Sequence, residues 1–300
     1  MFDDLLPFWC ESCLHDKTAF SRAYNNISSV NRALLKKNIA ELSKWYNLYN
    51  YSNKSEVKSL KWSQNWKTTI SKKPADCALV GIPQEFSSPA LLLATVMPLK
   101  IIGVEKVLVF KCTKDSSIWS DSLLLALELA GVEEVFDFTL EQVESLLQEI
   151  GKQKVSVTSV FVNDVDNFPF FSLAYKYAAR MDTVSLFSPK SCGIWLDKEV
   201  IPDVEAIEFA YPDLDLQFWS QDSEMFKCVP DQYHKQVGKW TDFCESRFDL
   251  VFAPSEFHTE LLSKFAVVLG QGQEGFWIWP DLHLKRFEKQ GLAFSTSSDN

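Results

Sequence analysis

Glycine is scarce in this sequence, with ten residues in 300, roughly half the usual share of about 7%. Loops that cradle phosphates depend on glycine, whose missing Cβ lets backbone amides approach an anion closely. The shortage weighs against such a loop, and no Walker loop, Gly-x-Ser-x-Gly elbow or His-Glu-x-x-His run occurs. Basic residues are also in deficit. Thirty Lys+Arg against 40 Asp+Glu leave a formal charge of −10, which excludes a general nucleic-acid footprint. No unbroken apolar run is long enough to span a bilayer. The opening Met1-Phe-Asp-Asp-Leu-Leu-Pro7 has acids where a signal peptide carries basic residues. The expected chain is cytoplasmic and has no membrane or nucleic-acid partner.

Histidine is rarer still, with four copies (His15, His234, His258 and His283) that form no local cluster. The seven cysteines are odd in number and spread over the whole chain, which does not make a disulfide framework. Cys10-Glu-Ser-Cys13-Leu-His15 alone has ligand-like spacing, and C-x-x-C supplies two of the four ligands of a tetrahedral zinc site. With no second C-x-x-C, a zinc ion there needs remote partners. The alternative is a pair of half-buried thiols on an N-terminal helix.

What is abundant is apolar: 46% hydrophobic and 14% aromatic residues, with 23% charged. That is the composition of a folded globular chain. Residues 31–50 read as an amphipathic helix with Leu35, Ile39, Leu42, Trp45, Tyr46 and Tyr49 on one face. Residues 51–73, rich in Ser, Lys and Asn, read as a loop or irregular hairpin. From residue 77 strands alternate with helices. A strand over 78–83 leads to a helix opened by Ser88-Pro89 and stopped by Gly103. A strand over 104–110, a helix over 120–130 stopped by Gly131 and a strand over 132–136 repeat the unit. A helix over 140–150 and a strand over 155–162 follow, then a helix around 170–180 and strands near 183–187 and 192–196. This rhythm predicts an α/β fold with a parallel sheet covered by helices. Residues 203–211 read as one more helix, 212–247 as an acidic, aromatic, irregular stretch, 250–252 as a possible return to the sheet, 259–265 as helix, and the tail beyond Ala293 as frayed.

Residues 74–150 resemble the histidinol dehydrogenase family. The likeness is carried by Pro74-Ala-Asp-Cys-Ala-Leu-Val-Gly-Ile-Pro83, by Ser87 through Gly103-Val, and by Leu125-Ala-Leu-Glu-Leu-Ala-Gly131-Val-Glu-Glu-Val135. Asn38 through Tyr49 upstream, and Ser188-Pro-Lys-Ser-Cys-Gly-Ile-Trp-Leu-Asp197 with Pro202 downstream, extend the ordered series over roughly 30–215. The resemblance implies a Rossmann-like parallel sheet of the histidinol dehydrogenase/aldehyde dehydrogenase type, with a helical N-terminal segment (1–75), an α/β lobe (76–187) and a second, smaller lobe with the C-terminal segment (188–300). It also implies NAD- and zinc-dependent oxidation of L-histidinol and a homodimer.

The departures from the family pattern are as informative as the matches. Its Pro-Gly-Gly turn is replaced by Pro83-Gln84-Glu85-Phe86, and a second glycine turn by Thr139-Leu140-Glu141-Gln142-Val143, where Gln142 alone carries over as a cofactor-binding candidate. A third glycine loop corresponds to residues 162–167, without glycine. The zinc pair falls on Pro212 and Asp215, so no metal ligand set is assigned; Gln217 and Gln221 have no histidine three residues on. The catalytic Glu-His dyad is echoed by Glu256 and His258, two apart in Ala253-Pro-Ser-Glu-Phe-His258. The alternative for these residues is the start of a surface helix. His283 matches a possible relic of a ligand or base.

Other signals have plain readings. The runs Phe168-Pro-Phe-Phe171 and Trp277-Ile-Trp279 fit core or interface plugs better than a ligand platform. Asp213, Asp215, Asp222, Glu224 and Asp231 fit a solvated acidic loop better than a calcium site, because the EF-hand order and its glycine are missing. Cys112 has the most basic neighbourhood among the cysteines, between Lys111 and Lys114. Two functions follow as expectations. One is a catalytically degenerate histidinol dehydrogenase-like protein, without bound NAD or zinc, kept as a binding or assembly module. The other is an active NAD(P)-dependent oxidoreductase using His258, Glu256 or a cysteine.

Overall fold

The computed structural model describes residues 6–47, 55–63, 65–113, 119–153, 155–163, 173, 176–177, 181–198 and 202–296. A 3-10 turn (Phe8–Cys13) and two helices, α1 (Lys17–Asn26) and α2 (Ser29–Asn47), open the chain. Asp16 caps α1 by accepting a hydrogen bond from the Thr18 amide. On α2, Leu35, Leu42 and Tyr46 are buried as the sequence spacing requires. An antiparallel hairpin of β1 (Glu56–Trp62) and β2 (Trp66–Pro74) follows. Its turn passes through Asn65, which has positive φ (56°), a conformation asparagine tolerates better than most residues.

The first α/β lobe runs β3 (Cys77–Pro83), α3 (Pro89–Ile102), β4 (Lys106–Cys112), α4 (Asp121–Leu129), β5 (Val135–Phe138), α5 (Leu140–Ile150), β6 (Val157–Asn163) and β7 (Asp182–Phe187). The five strands are all parallel in the order β5-β4-β3-β6-β7. β3 and β6 are buried along their whole length, as expected for strands covered by helices on both faces. α3 is buried on nearly every side, so it is a core helix rather than a surface one. It begins where Ser88 caps the Leu91 amide and stops at Gly103, whose φ of 92° a side-chain-bearing residue rarely adopts. Gly131, φ 70°, makes the same kind of stop after α4.

The second lobe repeats the plan with β8 (Ser191–Trp195), α6 (Val204–Ala210), β9 (Asp215–Ser220), β10 (His234–Val237), α7 (Trp240–Glu245), β11 (Leu250–Phe252), α8 (His258–Leu261) and β12 (Val268–Leu269). Its sheet is also wholly parallel, in the order β10-β9-β8-β11-β12. Numbered within each lobe, both sheets read 3-2-1-4-5, the doubly wound order of mononucleotide-binding halves. The stretch read as irregular (212–247) therefore holds two strands and a helix. β10 is a four-residue exposed edge and β9 is interrupted by polar residues, so neither has the apolar run that marks β3.

The chain ends in β13 (Glu288–Thr296), which pairs with β2 over nine residues to complete a three-stranded sheet in the order β1-β2-β13. Residues 294–296 of the tail read as frayed are thus held by the N-terminal hairpin. One continuous core links α2, α3, α6, both large sheets and Trp277, Trp279 and Phe287. Smaller clusters cover the far faces of the first sheet and the second. No helix among the described residues is long and apolar enough to cross a membrane.

Candidate functional site

In doubly wound sheets ligands bind outside the carboxyl ends of the strands, where the amino ends of helices point at the ligand. In the first lobe that place is the turn from β3 into α3. Pro83, Glu85, Phe86, Ser88 and Leu91 line a cavity of about 270 Å³ there, together with Ser188 to Lys190 after β7 and Tyr211, Asp213 and Leu214 before β9. The cavity lies between the two lobes.

Its geometry is decided by what already occupies the start of α3. Ser88 Oγ donates to the carbonyl of Ala210 at 2.6 Å while accepting from the Leu91 amide. Pro89, at the first helical position, has no amide hydrogen to offer. Ser87 Oγ donates to a carboxylate oxygen of Asp213. The segment joining α6 to β9 thus lays a carbonyl and a carboxylate against the α3 amino end, and Glu85 adds a second carboxylate to the wall. Like charges close to that end oppose a phosphate, and the Cβ-bearing turn Gln84-Glu85-Phe86 stands where glycines would admit one. The residues present do not fit a dinucleotide pyrophosphate. Tyr211, whose ring lines the cavity, donates its hydroxyl to the Phe276 carbonyl and lies edge-on to Trp277.

Beneath this turn lies a polar cluster. Lys111 is 3% exposed, donates to the Gln84 carbonyl at 3.1 Å and sits 5.2 Å from the centroid of Trp119. Burial pushes its ammonium below the ordinary lysine range, and the carboxylates of Asp137, Glu85 and Asp213 draw it back up. Asp137, opposite Lys111 in the register of β4 and β5, accepts from Trp119 Nε1 at 3.0 Å and bonds His15 Nε2 at 2.9 Å. This network anchors the N-terminal segment to the sheet, with the His15 amide donating to the Val135 carbonyl.

The residues singled out in the sequence are dispersed. Gln142 is the third residue of α5, where its side chain accepts from the Thr139 amide and its own amide donates to Thr139 Oγ1, closing a capping box. Its Nε2 also reaches Cys13 Sγ at 3.5 Å. Glu256 is exposed on the 3-10 turn Ser255–Phe257, and His258 begins α8 half-buried. His258 Nε2 lies 3.1 Å from the Ala253 carbonyl, a pure acceptor, so that nitrogen carries the proton. The imidazole packs on Gly270, where an added Cβ would approach it to 3.1 Å. The neighbouring void lined by Trp195, Pro202, Phe252, Ala253, Gly270 and Gln271 measures about 10 Å³, too small for a substrate. The void beside His258 is therefore too small for a ligand, while a separate cavity of about 250 Å³ opens at the carboxyl ends of β8 and β9, against Trp195, Asp197, Lys198 and Asp222.

The zinc-pair positions fare no better. Pro212 is exposed and has no donor atom, and Asp215 accepts from Gln217 Nε2 at 2.8 Å. Among the described residues no three His, Cys, Asp or Glu side chains converge on one point, in the acidic stretch or around Cys10, Cys13 and His15. The donor set does not suit zinc. Cys112 is a correction to the nucleophile reading: burial pushes its thiol up to about 11, and the Lys111 ammonium is directed to the Gln84 carbonyl instead. His283 is exposed and lines a separate groove with Trp45 and Tyr46. Trp277 and Trp279 are buried, and Trp279 donates to Thr95 on α3. The loop 162–167 beyond Asn163, and residues 168–171, lie outside the described residues. Sequence reasoning missed Ser87, Tyr211 and Asp213 in their closing role. Ser87 and Asp213 stand 126 positions apart, and no local pattern pairs them.

No family model and no curated protein matches the sequence. Solved structures do match the fold. A histidinol dehydrogenase from Elizabethkingia anophelis superposes with a TM-score of 0.58 at 10% identity, over 95% of this chain and 77% of that one. An NAD-dependent benzaldehyde dehydrogenase from Corynebacterium glutamicum gives a TM-score of 0.50 at 9% identity, over 89% and 76%. The fold is of the type that these dehydrogenases share.

Proposed function

We propose that this chain keeps a histidinol dehydrogenase-like scaffold as a catalytically degenerate binding or assembly module. The carrying observation is the closure of the α3 amino end by Ala210 and Asp213 through Ser87 and Ser88. Nicotinamide chemistry needs a pyrophosphate seat, and here an internal carbonyl and carboxylate take it. Two further features support the reading. The positions matching the zinc pair are Pro212 and Asp215, and the echo of the acid–base dyad places Glu256 in solvent with the His258 proton committed to a main-chain carbonyl.

The test is turnover. Purified protein supplied with zinc, L-histidinol and either NAD⁺ or NADP⁺ is expected to produce no reduced nucleotide above a protein-free control. Zinc-dependent formation of histidine with stoichiometric cofactor reduction would overturn the proposal in favour of the active oxidoreductase.

A further inference from the structure

In the doubly wound order, phosphates sit at the amino end of the helix that follows the first strand, and an acidic side chain farther along takes the ribose hydroxyls. In the second lobe the first strand is β8, the helix after it is α6 and the next strand is β9. Just past the end of β9 stands Asp222, on the wall of the cavity of about 250 Å³ that opens at the carboxyl ends of β8 and β9. That volume is near the lower end of small-ligand sites. It has room for one nucleoside and not for a dinucleotide.

The cavity pairs a fixed acceptor with an apolar wall. Asp222 Oδ1 accepts from the Glu224 amide at 3.0 Å, capping the 3-10 turn Ser223–Cys228, while Oδ2 accepts no hydrogen bond from the described residues. The Asp222 amide donates to Ser220 Oγ at 3.2 Å, and that buried hydroxyl donates to the Leu196 carbonyl at 3.3 Å. The exits of β8 and β9 are thereby tied together, which orders the carboxylate before a ligand arrives. Trp195 and Met225 supply the apolar wall. Trp195 is held by ring contacts to Trp240 at 5.0 Å and Phe243 at 5.4 Å, so the wall is rigid. A phosphate has no place here. α6 is seven residues long, its amino end is capped by Asp203 Oδ1 on the Ala206 amide at 3.1 Å, and Glu274 Oε1 lies 3.4 Å from the Asp203 amide. Two carboxylates stand where a phosphate would sit and repel it.

We infer that the second lobe binds an unphosphorylated ribonucleoside at the ends of β8 and β9, with Asp222 accepting from the ribose 2′- and 3′-hydroxyls and the base lying against Trp195 and Met225. A carboxylate accepts two such donors in charge-assisted bonds, which neutral side chains match poorly. The inference names the ligand of the binding module proposed above and rests on that reading.

Calorimetric titration of the full chain with adenosine tests it. Saturable heat at one site per chain is expected. With 2′-deoxyadenosine, which leaves the acceptor short of a donor, binding is expected to weaken at least tenfold. AMP and NAD⁺ carry a 5′-phosphate and are expected to give no heat. Asp222→Asn keeps a carbonyl oxygen for the Glu224 amide, so its melting temperature is expected to stay unchanged while adenosine affinity falls at least tenfold. No heat with adenosine, equal binding of 2′-deoxyadenosine or AMP, or an Asp222→Asn chain that binds as well as the wild type would overturn the inference. A chain that binds no adenosine and turns over no histidinol would remove the site and leave the degenerate scaffold. A chain that binds adenosine and oxidises histidinol would remove the scaffold reading on which this inference rests.

Discussion

The two lobes share a strand order and differ in how they fill its one functional crevice. In the first, strands of up to seven residues enclose a cavity of about 270 Å³, closed to phosphate by polar groups of the other lobe. In the second, strands of two and three residues converge on a void of about 10 Å³ with His258 bonded to the main chain beside it. One fold thus supplies two switch points, the first closed to phosphate by electrostatics and the second narrowed by side-chain volume, with its open space of about 250 Å³ displaced to the ends of β8 and β9. The strand order alone says nothing about chemistry, which lives in the residues at the turn.

The sharpest way to compare the lobes is the glycine in each central strand. An added Cβ at Gly81 would lie 2.8 Å from Phe161 and 2.9 Å from Phe110, both fully enclosed rings. At Gly193 it would lie 2.4 Å from the half-buried Phe248 and 2.9 Å from the fully enclosed Phe243. Gly81→Ala and Gly193→Ala are therefore each expected to cost about 3 kcal/mol. Urea denaturation of the two variants checks this, and a loss below about 1 kcal/mol at one of them would show that its lobe has the looser core.

The hold of the C-terminal segment on the second lobe comes next. Tyr211→Phe removes the hydroxyl that the Phe276 carbonyl accepts in a buried site, for a loss of about 1–2 kcal/mol. Urea denaturation of this variant checks the loss, and an unchanged midpoint would show that the bond contributes nothing to the segment's docking.

A smaller effect separates the lobes by pH. Burial raises the Asp76 carboxyl, but Lys73 at 2.9 Å, the Ser156 amide at 2.8 Å and Lys289 outweigh it and hold the group below the ordinary aspartate range. A carboxyl depressed in the folded state stabilises above its unfolded pKa, and that contribution is lost as pH falls through the lowered value. Asp76→Asn is expected to cost about 1 kcal/mol at neutral pH, given partial solvent screening. The gap to wild type should close in acid. A gap that widens on acidification would contradict this account of the first lobe's entry.

The mildest test is chemical. Cys112 in the first lobe, with its thiol up at about 11, is expected to alkylate far more slowly at neutral pH than exposed Cys228 in the second. Peptide mapping after a short iodoacetamide pulse reads the ratio. Equal labelling would restore Cys112 as a nucleophile candidate.

The first lobe was legible in the sequence because its signals are local. Ser88-Pro89 and Gly103 bracket α3, Thr139 and Gln142 bracket the start of α5, and β3 is an unbroken apolar run. The second lobe was not, because a two-residue β12 has no periodicity to detect and β10 exposes its side chains. The tail was missed for another reason. Phe294 pairs with Thr68, and a strand whose partner lies more than two hundred positions away carries no sign of it in its own composition. The candidate site divides along the same line. Loss of the glycines at residues 83–86 could be read directly, whereas the closing of that turn by Asp213 and Ala210 requires the fold.

Thermal-shift titration with NAD⁺ tests the central claim most directly, since a ligand that binds only the folded state must raise the melting temperature by mass action. The closed α3 amino end predicts no shift at millimolar NAD⁺, and a dose-dependent rise would show that a dinucleotide enters the crevice and would contradict the account.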